Sequence, residues 1–211
     1  MTLAKKVVDA YKLPLYIMIR PFKGFYAMKH EGQGTIKLAL FNFLLVCISV
    51  SFSNQYAAIV VNPRSPRMIN SFEDFTFLSI ALVLFCVSNW AVTSLTDGEG
   101  RFKDIVMAVC YSMTPIVLTL IPAALISNIL TIEEAAFYFM AINVAMFWFV
   151  ILTFAGLVTV HGYTAAKAVL TIFLTFIALL IIVFLITLVL TLWSQMLLFV
   201  RSVYTEIVFR V

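Results

Sequence analysis

The sequence predicts an all-α polytopic membrane bundle of five transmembrane helices, with amphipathic segments at both termini. Three observations predict it. Of the 211 residues, 64% are hydrophobic and only 11% are charged, with a mean hydropathy of +1.09. A soluble domain carries roughly 25% charged residues, so this chain lacks the charge to cover a water-facing surface. Five stretches also contain no Asp, Glu, Lys or Arg: Leu38–Val61, Phe75–Thr96, Ile105–Ile132, Ala135–Val160 and Ala168–Val200. Each reaches the ~20 residues a helix needs to cross ~30 Å of hydrocarbon. Barrel strands would be about half as long and would alternate polar with apolar residues, which these stretches do not.

Taken in order, the chain divides into a segment over residues 1–34, a five-span domain over 35–196 and a tail over 197–211. The first segment mixes Lys5, Lys6, Lys12, Arg20, Lys23 and Lys29 with Leu, Ile, Phe and Tyr. That is a membrane-surface pattern rather than a nucleic-acid one, so no nucleic-acid partner is expected and the segment is placed along the inner leaflet. Pro14 interrupts its apolar stretch and Arg20, Pro21 and Lys23 follow, which predicts a retained segment rather than a cleaved signal peptide. The spans are placed at 38–61, 75–96, 105–130, 135–160 and 168–193. The third holds Pro115 and Pro122, each lacking a backbone donor, so a kink is expected there. Tyr111 and Ser112 flank it, and Ser112, Thr114 and Thr119 can satisfy the freed carbonyls. The fifth uncharged stretch has 33 residues, about 50 Å as helix. Its span is expected to end near Trp193–Gln195, where an aromatic meets polar neighbours. The tail, with Arg201, Glu206 and Arg210 among apolar residues, is expected to lie on the outer surface.

Lys and Arg set the orientation. With the N-terminus inside, ten of the 14 basic residues lie in inner segments; Arg64, Arg67, Arg201 and Arg210 lie outside. This excess predicts a cytoplasmic N-terminus and an extracytoplasmic C-terminus.

Three of the inner segments share a pattern: EGQGTIK at 31–37, DGEGRFK at 97–103 and HGYTAAK at 161–167. A Gly stands five residues before a Lys in each: Gly32 and Lys37, Gly98 and Lys103, Gly162 and Lys167. Gly100 and Arg101 extend the second. Glycine suits a turn that other residues resist. A Lys at a helix start opposes the partial positive charge already there, and a bound anion would relieve the conflict. These eight residues therefore form a candidate rim for anionic lipid headgroups or a partner. The plainer reading is snorkelling lysines beside ordinary loop glycines.

The chemistry inventory is otherwise sparse. No Asp, Glu, Lys, Arg or His lies within the uncharged runs, where proton- or ion-coupled transporters place such groups. Asn42, Asn89 and Asn143 are read as hydrogen-bond partners between helices. His161, at the inner end of the fourth span, is read as interfacial. Cys47, Cys86 and Cys110 sit in apolar runs without a CxxC spacing and are read as small buried hydrophobes. The acids Asp97, Glu99 and Asp104 do not match a calcium-loop spacing. No phosphate loop, metalloprotease or nucleophile-elbow motif occurs. No cofactor, metal or catalytic activity is expected. A small transporter or channel with a Pro-broken third helix is the alternative, and it would need water beside Ser112, Thr114 and Asn89.

The stretch NWAVTSLTDGEGRFKDIVMAVCYSMTP, Asn89–Pro115, resembles the centre of bacterial members of the Yip-domain family. The DGEGRFKD turn, the Tyr111-Ser112-x-x-Pro115 group, the HGYTAAK turn and the RPFKGF stretch at Arg20–Phe25 carry the resemblance. It implies five transmembrane helices, a cytoplasmic N-terminus and no catalytic activity. The Asp-Leu-x-Gly-Pro-Leu signature of eukaryotic relatives, which contact small GTPases, is replaced by DGEGRF, so a GTPase partner is not implied. The bacterial branch implies a plasma-membrane accessory role beside ABC transporter subunits.

Overall fold

The computed structural model describes residues 3–63 and 70–209, with side chains from residue 11 onward; Arg64, Arg67 and Arg210 of the charge count lie outside these ranges. Among the described residues eight helices follow one another: α1 (Leu3–Ile19), α2 (Pro21–His30), α3 (Ile36–Tyr56), α4 (Ser71–Leu95), α5 (Phe102–Ser112), α6 (Thr114–Ser127), α7 (Ala135–His161) and α8 (Ala165–Phe209). The described residues contain no strand. Among the described residues five helical units are long and apolar enough to cross a membrane: α3, α4, α5 with α6, α7, and α8. The chain is a multi-pass helical membrane protein.

The short helix α5 is the hub. Eight of its eleven residues are buried, and it packs against α1, α3, α4, α6 and α7. Its Ile105, Ala108 and Tyr111 meet Ala39 and Phe43 of α3, Cys86 of α4 and Leu152 and Val160 of α7 in one apolar core. Small residues permit these close crossings, as packing without water between helices requires. At Gly156 of α7 a Cβ would lie 3.0 Å from the Phe25 ring and 3.3 Å from Ala108 Cβ.

The N-terminal segment, expected along the membrane surface, forms a helical hairpin packed on the bundle. Pro21 starts α2 after the break at Arg20. The two legs touch at Gly24, where a Cβ would lie 2.6 Å from Ile17 Cγ1. Met28 and Phe25 of α2 and Ile17 and Leu13 of α1 join the main core. At the hairpin turn, Met18 carbonyl accepts from Trp148 Nε1 at 3.2 Å, and Trp148 is the central residue of α7. Close packing of the buried Ile17, Phe25 and Met28 holds the segment there, with the Trp148 bond beside it.

At the other terminus, α8 is one uninterrupted helix of 45 residues, about 67 Å long. The fifth span was expected to end near Trp193–Gln195 and give way to a separate surface helix; no break occurs there. The polarity of Ser194, Gln195, Arg201 and Glu206 does not stop a helix, because none of these residues removes a backbone donor or demands a left-handed conformation. Only Ala168, Thr171 and Thr175 of α8 are buried, and α4 is its principal packing partner.

Candidate functional site

The third span is interrupted just ahead of Pro115. α5 ends at Ser112 and α6 begins at Thr114, with Met113 between them. Pro115 has no N–H for Tyr111 carbonyl, and Thr114 Oγ1 donates to that carbonyl at 2.7 Å instead. Cys110 carbonyl receives Asn42 Nδ2 at 2.6 Å, and the same nitrogen lies 3.3 Å from Thr114 Oγ1. Asn42 Oδ1 accepts from Tyr11 hydroxyl on α1. Tyr111 hydroxyl donates to Thr35 carbonyl at 2.9 Å and accepts from Thr35 N–H at 3.2 Å. A break inside lipid is tolerated only when its backbone groups find such partners. Ser112 Oγ donates back to Ala108 carbonyl at 2.7 Å. Pro122, by contrast, lies inside α6 without interrupting it.

A second polar cluster closes the turn-bearing end of the bundle. His161, the last residue of α7, is 2% exposed. Its Nε2 lies 3.3 Å from Asn89 Oδ1 of α4, while Asn89 Nδ2 donates to Thr175 Oγ1 of α8 at 3.1 Å. Asn89 thereby ties three helices together. Tyr163 stacks on His161 with ring centroids 5.3 Å apart. Its hydroxyl meets Thr96 Oγ1 at 2.8 Å and donates to Thr96 carbonyl at 3.1 Å. From α2, Lys29 donates to Val160 carbonyl at 2.8 Å and pairs with Glu99 at 3.2 Å.

The structure brings two of the three Gly–Lys turns together here. At Gly98 a Cβ would lie 2.7 Å from both His161 Nδ1 and Tyr163 hydroxyl; at Gly100 it would lie 2.5 Å from Val160 Cγ1 and 2.8 Å from His161 Cε1. Both glycines are therefore needed for space. The positive φ in that turn belongs to Asp97, at 55°. Gly162 does use glycine's conformational freedom: at φ 66° it caps α7 in the left-handed region. The remaining turn stands apart, for Gly32 also has φ 66° but nothing within 4 Å of a Cβ. Lys37, Arg101, Lys103 and Lys167 are exposed. Lys167 holds its ammonium 4.5 Å from the centre of the Tyr163 ring.

The helix starts are partly satisfied within the chain. Asp104 Oδ2 accepts Arg101 N–H at 3.2 Å, placing a carboxylate where the dipole of α5 favours one. Thr164 Oγ1 lies 3.4 Å from Lys167 N–H at the start of α8. Among the described residues no three His, Cys, Asp or Glu side chains gather as a metal site. Cys47, Cys86 and Cys110 are buried free thiols. Asn89, Ser112 and Thr114, beside which a transport path would need water, are each 1% exposed or less and bonded within the chain. Asn143 is exposed.

Lys29, Thr35, Tyr163 and Thr175 were not singled out by sequence. The available signal was polarity at the ends of apolar runs, which does not say which helices will be neighbours.

Compared with known proteins, the chain matches the family described as Yip1 domain over residues 15–188. No curated protein and no solved structure matches it.

Proposed function

The chain belongs to the Yip1 domain family, and from that premise we propose that it is a non-enzymatic membrane scaffold that engages another membrane protein and anionic lipid. In this reading it sits in a bacterial plasma membrane with the turn-bearing end cytoplasmic and the C-terminus outside. The partner is a membrane complex of the ABC transporter kind, and Lys37, Lys103 and Lys167 with Arg101 face anionic headgroups beside Gly32, Gly98, Gly100 and Gly162.

One observation carries the scaffold reading: no residue of α8 from Phe176 to Phe209 is buried. Its uncharged run of 33 residues, about 50 Å of helix, exceeds the ~30 Å hydrocarbon layer. α4, which packs on it, has 25 residues, about 38 Å. Surplus apolar length is relieved by tilt or by association with other helices, and here α8 is free to associate. The polar groups of the interior, meanwhile, are largely occupied with one another.

Affinity capture of the full chain from its native membranes, after mild crosslinking, tests this. A membrane protein recovered in stoichiometric amount, crosslinked to residues 176–209, is the expected result. Recovery of the chain with lipid alone refutes the partner. Replacing Lys37, Lys103 and Lys167 together with Gln is expected to lower co-purifying anionic lipid; unchanged lipid removes the rim from the proposal.

A further inference from the structure

Helices α7 and α8 are joined by a three-residue turn, Gly162–Thr164, yet they diverge. α7 packs on α2, α5 and α6, whereas α8 packs on α4. Between them lies a cleft of about 610 Å³. Its floor includes Leu82 of α4, Val109 of α5 and Leu157 of α7, all buried, while Val150, Val169 and Phe176 at its margin are 55–60% exposed. Among the described residues Thr153 is the sole polar side chain lining it, and its walls belong to α4, α7, α8 and the α5–α6 unit, each long enough to span.

We infer that this cleft holds one acyl chain of a bilayer phospholipid, whose phosphate is held at the Gly162 turn by Lys167. Water is a poor occupant, because a buried water needs two to four polar partners and the lining offers a single hydroxyl. An empty cleft forfeits dispersion contacts along all its walls. The medium beside spanning helices is hydrocarbon, and the margin opens onto it. Lys167 stands in the first turn of α8, two positions before Val169, the first residue of that helix to line the cleft. An ammonium there opposes the helix dipole, and a phosphate is the complementary charge. The Tyr163 ring holds the ammonium at that turn. This site rests on the lipid part of the proposed function and not on the protein partner.

Fluorescence quenching in vesicles tests it. With Trp90, Trp148 and Trp193 replaced by Phe, a single probe is placed in the cleft as Phe154→Trp or, from the opposite wall, Ile172→Trp. The vesicles are phosphatidylcholine with phosphatidylglycerol, brominated on the acyl chains. The cleft probes are expected to be quenched as strongly as Phe147→Trp on the outward face of α7, where Phe147 is 67% exposed. Quenching no greater than at Leu152→Trp, a core position that is 0% exposed, overturns the proposal, because it means that the cleft is shut or filled by protein. With bromine only on phosphatidylglycerol, adding Lys167→Gln is expected to reduce cleft quenching at least two-fold. An unchanged signal overturns the headgroup assignment. Failure to capture a partner protein leaves these readings untouched, so the two ideas fail separately.

Discussion

Helices α5 and α8 are opposites in how they use their residues. Eight of eleven residues are buried in α5 and three of 45 in α8. α5 is too short to cross a membrane, starts at a capped turn and ends at a break whose carbonyls are bonded by Thr114 and Asn42. α8 is the most apolar of the spans and yet is fixed chiefly near its start, through Asn89 and Thr175. Hydrophobicity therefore does not identify the centre of a membrane fold. In lipid, a uniformly apolar helix gains little by packing, and small residues with matched hydrogen bonds decide which helices meet.

The contrast can be broken at graded points. The largest effect is expected where the backbones approach most closely around α5. Gly156→Leu drives a branched side chain into Phe25 and Ala108 and should cost about 3 kcal/mol by overpacking, read as a lower unfolding midpoint in detergent. Asn42→Val leaves Tyr11 hydroxyl and the second bond of Cys110 carbonyl unmade. The same assay should show a loss of about 2 kcal/mol. Among the turns, Gly32→Ala should cost about 1 kcal/mol, the strain of a left-handed backbone alone, since a Cβ there meets nothing. Gly100→Ala should cost more than Gly32→Ala despite its ordinary φ, because its Cβ would strike Val160 and His161; the reverse order would show that turn conformation, not space, governs the cluster. The smallest effect is expected in α8. Phe199→Ala, at a residue 69% exposed, should change stability by less than about 0.5 kcal/mol.

Much of this was legible in the sequence because it depends on local chemistry. Length and missing charge marked the five spans, and Pro115 marked the break, since a proline removes a donor wherever it stands. The resemblance carried by Tyr111-Ser112-x-x-Pro115 and DGEGRFKD led to the family that matches residues 15–188. Other features depend on neighbours and were hidden. Gly98 and Gly100 read as turn residues but are glycine because His161, Tyr163 and Val160 crowd them. Residues 1–34 read as a surface segment because their Lys and Arg residues suggest an interface; the buried faces of Ile17, Phe25 and Met28 become visible only with α5 and α7 in place. Trp193 and Gln195 suggested an end to α8, although polarity alone does not terminate a helix.

The comparison of α5 with α8 is tested most directly by shortening the chain to end at Gln195 and measuring reversible unfolding in detergent beside the full-length protein. Equal midpoints, within about 0.5 kcal/mol, are predicted, because none of the described residues removed, 196–209, is buried in the bundle. A loss of several kcal/mol would show that the distal part of α8 is part of the fold and contradict its assignment as a surface left for other molecules.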